Sequence, residues 1–313
     1  MKLNVVTYNI DGLPEQLDLN DLPALLKPIS WIYKWCKKTT IVKINDNENT
    51  SKKIEQIGKC LIESNADLIG VQEDFNYHDE LVKDFYDKYS WGSYSGGFDI
   101  SKVFSSISWF PPRFKADGIN LFVKVGKVKI NEEEIIKWNK SYGYIDHAND
   151  KLTTKGFRFY NVTVNEQVDI DVYVVHMDAD FYNVETCPDV SKDVKARKSQ
   201  FEQLVSHIIE RYYSHSNPVI IMGDTNSYNK YTWDVENICN FMTNINYVSG
   251  LDCKEAYPEN FSDCDRIFYI NADKAKYKLK LNSCKFNFDF DTKIGPLSDH
   301  KPLEAEFEVV ENI

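Results

Sequence analysis

Several short apolar segments of this chain run directly into polar residues, and this pattern limits the folds that the chain can adopt. In "NPVIIMGDTNSY" (residues 217–228), the apolar run "VIIM" predicts a strand that is buried on both faces. The next four residues are Gly223, Asp224, Thr225 and Asn226. Such a boundary either is an ordinary turn or presents polar side chains at the end of a core strand.

The same kind of boundary recurs at several other predicted strand ends. Each polar residue alone is explained as a turn former. Together they supply carboxylates, amides and two histidines without a thiolate, a set that suits a hard divalent cation such as Mg²⁺ or Mn²⁺. Such a cation, a neutral imidazole and amide donors are the groups needed for attack of water on a phosphoester. The positions are Asn9, Gln72, Glu73, Asp74, His176, Asp178, Asp180, Asp224, Asn226, Asp265, Asp299 and His300.

Apolar periodicity predicts strands that alternate with helices in places and form hairpins elsewhere. Helical spacing covers residues 50–65, 189–214 and 232–244, while "GFRFYNVTV" and "VDIDVYVVHMD" predict a hairpin across "NEQ". This arrangement predicts a mixed-sheet α/β protein of two packed sheets with helices outside. Since no repeat, low-complexity tract or linker interrupts it, we expect a single domain over residues 1–313.

Two aromatic segments fit this scheme poorly and are predicted to be loop excursions, at residues 13–49 and 98–116. They contain "ISWIYKWCKK" and "FDISKVFSSISWFPPRF", in which Trp, Tyr and Phe stand beside lysine or arginine without periodicity. One interpretation is contact with a membrane surface. The other, which we favour, is a cover or lid over the edge of the core.

Composition restricts the classes of partner. The net charge of −11 gives no overall attraction for a polyanion, and binders of extended nucleic acid depend on phosphate contacts. "MKLNVVTYNIDGLP" lacks the apolar core of a signal peptide, and no apolar run approaches the roughly 18 residues of a membrane span. Seven scattered cysteines without a CxxC pair indicate neither a zinc site nor disulfides. We therefore expect a cytoplasmic, monomeric protein, with export by an unconventional route left open.

The order of these motifs resembles that of the endonuclease/exonuclease/phosphatase superfamily, the DNase I-like phosphoesterases. The resemblance covers nearly the whole chain, in the family order: "TYNI", "VQED", "KGFRFYNV", "VVHMDA", "ARKSQFEQL", "IIMGDTN", "CDRIFYI" and "SDHKPL". One such motif is unspecific, whereas the ordered series is specific. It implies a four-layer α/β/β/α sandwich of two packed mixed sheets, with the active site at one edge.

The resemblance implies a metal site built from three residues. Asn9 and Glu73 match the family's first metal-site positions, with Glu73 as the principal Mg²⁺ ligand. Asp299 in "SDHKPL" matches a carboxylate on the metal side. The implied cofactor is therefore Mg²⁺, with Mn²⁺ as the alternative.

The resemblance also implies five catalytic roles. His176 would contact the scissile phosphate, and Asp224 with Asn226 would orient or activate the water and hold a phosphate oxygen. His300 would be the general base, and Asp265 would orient it. The residues alone suggest the same pairing, because Asp299 is the direct neighbour of His300 and cannot easily orient it.

The branches of the superfamily differ in substrate, and the motifs here point in more than one direction. "KGF" and "ARKSQFEQL" are similar to the sphingomyelinase side, and "QEDFNYH" to uncharacterised members. "CDRI" and "SDHKPL" are similar to inositol polyphosphate 5-phosphatases, from whose pattern Thr225 departs. We predict a Mg²⁺-dependent phosphodiesterase whose partner is a phospholipid or a small phosphorylated molecule. The alternatives are a DNase I-like nuclease, an inositol polyphosphate phosphatase and a non-catalytic binding module.

Overall fold

The structure is a computed structural model, and it describes most but not all of the chain. The described residues are 1–12, 47–75, 77–96, 116–142, 154–179, 191–258, 263–287 and 296–312, with the backbone alone at 47–49 and 191. The predicted excursions at 13–49 and 98–116 lie outside this part of the chain, except for the start of a helix and Ala116.

The first of two sheets contains the N-terminal and C-terminal strands. Its strands are β1 (Lys2–Asn9), β2 (Leu68–Gln72), β3 (Tyr89–Trp91), β4 (Asn120–Lys124), β11 (Tyr277–Phe286) and β12 (Leu303–Glu311). Their order across the sheet is β11-β12-β1-β2-β4-β3. β1 is parallel to β2 and antiparallel to β12. The sheet is therefore mixed, as predicted.

The second sheet is also mixed. Its strands are β5 (Val128–Lys137), β6 (Gly156–Val164), β7 (Val168–His176), β8 (Val219–Asp224), β9 (Leu251–Ala256) and β10 (Asp265–Ala272). Their order is β5-β6-β7-β8-β10-β9. The predicted hairpin is confirmed, because β6 and β7 pair antiparallel from Phe157 opposite Val175 to Val164 opposite Val168. β7 and β8 are parallel.

Helices cover the outer face of each sheet. They are α1 (Asn47–Ser64), α2 (His78–Leu81), α3 (Ser191–Ser214) and α4 (Thr232–Asn246), and the three predicted helices are thereby confirmed. The apolar residues that predicted α1, including Ile54, Ile57 and Leu61, are buried against the first sheet. In the described residues, no helix is long and apolar enough to cross a membrane.

Three hydrophobic clusters separate four layers. The central cluster combines side chains of both sheets, such as Leu3 and Leu68 of the first and Val174 and Met222 of the second. A second cluster packs the other face of the second sheet against α3 and α4, and a third packs the first sheet against α1. Each fully buried Val, Leu, Ile or Met contributes about 1.5–3 kcal/mol relative to an exposed one. The α/β/β/α sandwich is confirmed.

The four strands that apolar periodicity does not indicate are β3, β5, β9 and β11, and all four lie at sheet edges. β5, "VKINEEEIIK", is largely exposed, and β11 carries lysines along its length. Charged side chains on edge strands prevent pairing with other chains. The same charges remove the apolar signal by which central strands are recognised in the sequence.

Candidate active site

The second sheet places three of the predicted residues in one row at its edge. His176 ends β7 and Asp224 ends β8, and because these strands are parallel the two residues are register partners. Asp265 begins the antiparallel strand β10 and pairs with Asp224 on its other side. Backbone hydrogen bonds of three adjacent strands therefore fix the spacing of the row.

The first sheet contributes Asn9 and Glu73 from the ends of its parallel pair. Asn9 lies opposite Gln72, the last residue of β2, and Glu73 follows. Asn9 Nδ2 donates to Glu73 Oε1 at 3.2 Å and to Asp224 Oδ2 at 3.1 Å. Asn9 thus connects the polar groups of the two sheets.

A left-handed turn carries the Glu73 side chain into the site. Glu73 has a φ of +62°, which is uncommon for a residue other than glycine. The buried Asp74 anchors the turn: its backbone N donates to Gly118 O at 2.9 Å, and its Oδ2 lies 2.6 Å from both His78 Nδ1 and Asn120 Nδ2. Asp74 therefore fixes the backbone turn that positions the Glu73 side chain in the site.

His300 uses its two ring nitrogens differently. Its Nδ1 donates to the buried Asp265 Oδ2 at 2.7 Å, and its Nε2 lies 3.9 Å from Asp224 Oδ2. Burial disfavours a charged imidazole, but the Asp265 carboxylate outweighs burial and raises the pKa of His300 well above its usual value. Asp265 therefore orients the ring so that Nε2 faces Asp224.

Ser298 holds the loop that carries His300. Its Oγ donates to Asn9 O at 2.7 Å and accepts from His300 N at 3.1 Å. The serine of "SDHKPL" thereby links the loop before β12 to the end of β1. This contact explains how residues nearly 300 positions apart in the chain keep a fixed separation.

Asp224 and Asn226 belong to one tight turn at the end of β8. Asn226 N donates to Asp224 Oδ1 at 2.8 Å, and Asn226 Nδ2 donates to Met177 O at 3.0 Å. Asn226 is left-handed, with a φ of +47°. Thr225 between them is buried, and its Oγ1 donates to Cys264 O at 2.9 Å. The side chain of Thr225 therefore stabilises the turn.

His176 lies between the carboxylates of the two sheets. Its Nε2 is 3.8 Å from Glu73 Oε1 and 3.7 Å from Asp224 Oδ2. Its Nδ1 is buried without a hydrogen-bond partner among the described residues. Burial, with a smaller contribution from the charge of Lys155, lowers the pKa of His176 well below its usual value. The ring is therefore neutral and carries a single N–H.

Lys155 is a site residue that the sequence reasoning did not assign. It lies just before β6, it is buried, and its Nζ donates to Met177 O at 3.3 Å. Its charge acts on Glu73, His176 and Asp224. Its signal in the sequence is the "KG" pair, which by itself indicates only a branch of the superfamily.

Two carboxylates of the site differ in proton affinity. Burial raises the pKa of Glu73 to about 7, against the opposing charge of Lys155. Burial also acts to raise the pKa of Asp224, but its interactions with His300, His176 and Lys155 outweigh burial and hold the value at about 2. Asp224 is thus ionised at neutral pH, whereas the positive charge near Glu73 is too small to offset the effect of burial on its pKa.

Asp299 lies at the solvent-exposed side of the site. Its side chain is 73% exposed, and its Oδ1 lies 4.0 Å from His300 Nε2. The structure therefore places it at the solvent rim beside His300, while Glu73 and Asn9 contact each other directly. A second group of potential ligand atoms, all within 4.8 Å of one another, comes from Asp263, Cys264, Asp265 and His300.

No family model and no curated protein matches the sequence. Solved structures match over nearly the full length: beta toxin from Staphylococcus aureus has 16% identity and a TM-score of 0.59, with 97% of this chain and 99% of the toxin covered. D. rerio TDP2 complexed with a single-strand DNA product has 15% identity and a TM-score of 0.61, with 98% and 99% covered.

A third match carries the name of the predicted superfamily. An endonuclease/exonuclease/phosphatase from Bacteroides vulgatus has 13% identity and a TM-score of 0.57, with 99% of this chain and 100% of that chain covered. This chain has the endonuclease/exonuclease/phosphatase fold. Within that fold, the predicted site residues lie together at one edge of the two sheets, with Asp299 on the exposed side beside His300: Asn9, Glu73, His176, Asp224, Asn226, Asp265, Asp299 and His300.

Proposed function

We propose that this chain is a Mg²⁺-dependent phosphodiesterase that hydrolyses a phospholipid or a small phosphorylated molecule by attack of water. One observation carries the proposal: the Asp265–His300 pair directs Nε2 toward Asp224, and Asn9 joins Asp224 to Glu73. A general base, an orienting carboxylate and a metal-binding carboxylate are thus within one cluster. These are the groups that metal-assisted hydrolysis of a phosphoester requires.

The residues around Glu73 fit a hard divalent cation. Glu73 and Asn9 offer oxygen atoms, and burial keeps the pKa of Glu73 near 7 because little positive charge compensates its carboxylate. Mg²⁺ prefers one or two protein carboxylates and retains several waters. By contrast, burial raises the pKa of the Cys264 thiol well above its usual value, and a protonated thiol is a poor ligand for Mg²⁺. We therefore assign the cation to Glu73 and Asn9, with Asp299 as a further contributor.

The proposed mechanism assigns one task to each side chain. Bound Mg²⁺ would neutralise charge on the phosphoryl oxygens. In its deprotonated form, His300 accepts at Nε2 the proton of a water held by Asp224, while the water oxygen bonds to phosphorus, the bond from phosphorus to the leaving oxygen breaks and the leaving oxygen takes up a proton. Asp265 stabilises the imidazolium of His300. The N–H of neutral His176 and the amide of Asn226 donate to the phosphoryl oxygens as negative charge develops.

Lys155 adds a fixed positive charge to this arrangement. It is buried beside the carbonyl of Met177, and its charge acts on three of the site residues. An ammonium group in that position stabilises a dianionic transition state more than the monoanionic phosphodiester, since charges interact strongly where water is excluded. We therefore include Lys155 in the group that stabilises the transition state.

The substrate class rests on charge and on the turn after β8. A net charge of −11 disfavours an extended nucleic acid, although the similar fold of D. rerio TDP2 with a DNA product supports a nuclease as the second candidate. An inositol polyphosphate phosphatase has less support, because Thr225 departs from the pattern of those enzymes. Thr225 is buried, and its Oγ1 donates to Cys264 O. A non-catalytic module would not need the Asp265–His300 pair.

A hydrolysis panel tests the proposal. Purified protein is incubated with Mg²⁺, or with EDTA, and with sphingomyelin, phosphoinositides, soluble inositol phosphates, nucleotide diesters and plasmid DNA. We expect Mg²⁺-dependent release of a phosphomonoester from a lipid or small diester, and little nicking of DNA. Cleavage of DNA alone would favour the nuclease. If no substrate is hydrolysed and a titration shows no binding of Mg²⁺, the non-catalytic binding module would be favoured.

A further inference from the structure

Three aromatic rings and a lysine form a partly exposed surface directly after the Asp224–Asn226 turn. We call Tyr228, Tyr231 and Trp233 the aromatic platform. The rings of Tyr231 and Trp233 are stacked, with centroids 5.1 Å apart and an interplanar angle of 9°. Tyr228 meets Tyr231 edge to face at 6.2 Å. Lys230 Nζ lies 5.0 Å and 4.9 Å from the centroids of Tyr228 and Tyr231.

The aromatic platform is not part of the hydrophobic core. None of its three rings belongs to the hydrophobic clusters that the described residues form. Trp233 is 38% exposed, whereas Phe241 on the same helix is buried and packs against Phe201. The fold therefore uses one face of α4 for packing and leaves an aromatic surface at its beginning.

One buried ion pair and one hydrogen bond from a buried arginine hold the aromatic platform in place. Tyr228 N donates to Asp234 Oδ2 at 3.1 Å, and Arg197 Nη2 donates to Asp234 Oδ1 at 2.8 Å, with Arg197 and Asp234 both fully buried. Arg266 Nη2 donates to Ser227 O at 2.9 Å. Since Arg266 follows Asp265 on β10, the same strand fixes the general-base pair and the loop of the aromatic platform.

Chain connectivity places the aromatic platform beside the phosphate site. Tyr228 is two residues after Asn226, so their Cα atoms are at most about 7 Å apart. Asn226 in turn contacts Met177 O, next to His176. A phosphate held by His176 and Asn226 would therefore lie close enough to Tyr228 for its substituent to reach the start of the aromatic platform.

We propose that the aromatic platform stacks against a nucleobase, so that the small phosphoester of the proposed function is a nucleotide derivative. This inference rests on the proposed function for the place of the phosphate. Flat aromatic side chains stack on bases without regard to their identity, and a neighbouring lysine compensates the charge of a nucleotide phosphate. The contacts of Arg197 with Asp234 and of Arg266 with Ser227 O fix the segment that carries the rings, so the rings are positioned before a base binds.

Charge favours a nucleobase over a membrane surface as the occupant. Surface-binding segments combine several basic residues with projecting apolar side chains. Here Lys230 is the one basic residue among residues 225–233, the exposed Glu236 lies on the next turn of the helix, and the whole chain carries −11. Tyr231 and Trp233 also lie face to face and do not project separately.

Equilibrium binding of a matched ligand pair tests this inference without any turnover. In the presence of Mg²⁺, the Kd of adenosine 5′-monophosphate and that of ribose 5-phosphate are measured by calorimetry for the wild type, Trp233→Leu and Tyr231→Leu. We expect the wild type to bind the nucleotide at least about fivefold more tightly, and the variants to lose this preference while they keep their affinity for ribose 5-phosphate. Tyr247→Leu, at an 83% exposed tyrosine after the end of α4, is the control and should keep the preference.

Three outcomes would overturn the inference. The first is equal affinity of the wild type for both ligands, and the second is a loss of affinity for both ligands in the variants. The third is sedimentation of the wild type, but not of Trp233→Leu, with phosphatidylcholine/phosphatidylserine vesicles, which would assign the aromatic platform to a membrane surface. A base preference in a protein that hydrolyses nothing would instead support the platform and contradict the proposed phosphodiesterase.

Discussion

At the scale of single residues, the proton affinities of the site follow from burial and from neighbouring charge. His300 and His176 are both close to Asp224, yet their pKa values move in opposite directions. His300 is bonded to the buried Asp265, whereas His176 has no carboxylate at hydrogen-bonding distance among the described residues and lies near Lys155. His300 therefore binds a proton strongly and can act as a base only in its deprotonated form, whereas neutral His176 can donate one hydrogen bond.

Removal of the base, or of the carboxylate that holds the attacking water, should abolish most of the activity. His300→Ala and Asp224→Ala should each lower kcat roughly 10²- to 10⁴-fold, because each removes a group that acts in proton transfer. The measurement is the initial rate on the best substrate of the panel, with circular dichroism to verify the fold. His215→Ala, at an exposed histidine, is the control and should behave as the wild type. Near-normal turnover in either site variant would refute the assignment.

Lys155→Met should change the rate and the metal affinity in opposite directions. Loss of the ammonium removes a charge that stabilises the transition state, so kcat should fall about a hundredfold. It also removes a cation near Glu73, so Mg²⁺ should bind more tightly in a calorimetric titration. Lys83→Met, which removes an exposed lysine of a surface ion pair, is the control. Weaker Mg²⁺ binding, or an unchanged rate, would show that Lys155 has only a structural role.

At the scale of elements, β8 can deliver Asp224 only because glycine precedes it. Gly223 has a φ of +143°, and a Cβ there would collide with Val175 O of the parallel neighbour β7. On its other side, Gly223 pairs with Arg266 of the antiparallel strand β10. The close approach of these backbones is what brings His176, Asp224 and Asp265 into one row.

Gly223→Ala should therefore destabilise the protein and disturb the site. We expect a loss of more than about 1 kcal/mol in the free energy of unfolding, measured by urea denaturation, because the new methyl group meets backbone that cannot move. Gly126→Ala is the matched control: Gly126 also has a positive φ, of +77°, but among the described residues no atom lies within 4 Å of the point that a methyl group there would occupy. A loss in Gly223→Ala no larger than in Gly126→Ala would contradict this account.

At the scale of the whole molecule, the candidate site lies across the two sheets. Asn9 and Glu73 come from the first sheet and Asp224 from the second, and Asn9 Nδ2 bonds to both carboxylates. Neither sheet alone contains the full set of groups. A cation bound to Glu73 and Asn9 would join the ends of β1 and β2 beside Asp224 of the second sheet, and it would therefore bind only the folded chain.

Mg²⁺ should stabilise the folded protein. A ligand that binds only the native state adds about 2.7 kcal/mol when its concentration is about a hundred times its Kd, so the Tm should rise as Mg²⁺ is added and fall again with EDTA. Glu73→Gln should remove this dependence. Glu63→Gln, at an exposed position on α1, should retain it. A Tm that responds to Mg²⁺ equally in both variants would place the cation elsewhere.

Central strands and long helices were predictable, because apolar side chains repeat there with the period of the element. Edge strands such as β5 and β11 were not, because their charges replace that repeat. The site residues were predictable as polar groups after apolar strands, and the resemblance supplied their roles. Lys155 could not be assigned to the site, because only the fold shows that the lysine of the "KG" pair is buried beside the site residues. The extent of the domain, over residues 1–313, stays a prediction.

The sequence by itself determined the kinds of chemical group at the strand ends and the division of the chain into central strands and helices, since both depend on local residue order. Only the tertiary structure decided which groups meet. The pairing of Asp265 with His300, the link from Asn9 to Asp224, the burial of Lys155 and the exposed position of Asp299 all depend on contacts between distant segments. Proton affinity is set by burial and by neighbouring charge, and both arise when the two sheets pack together.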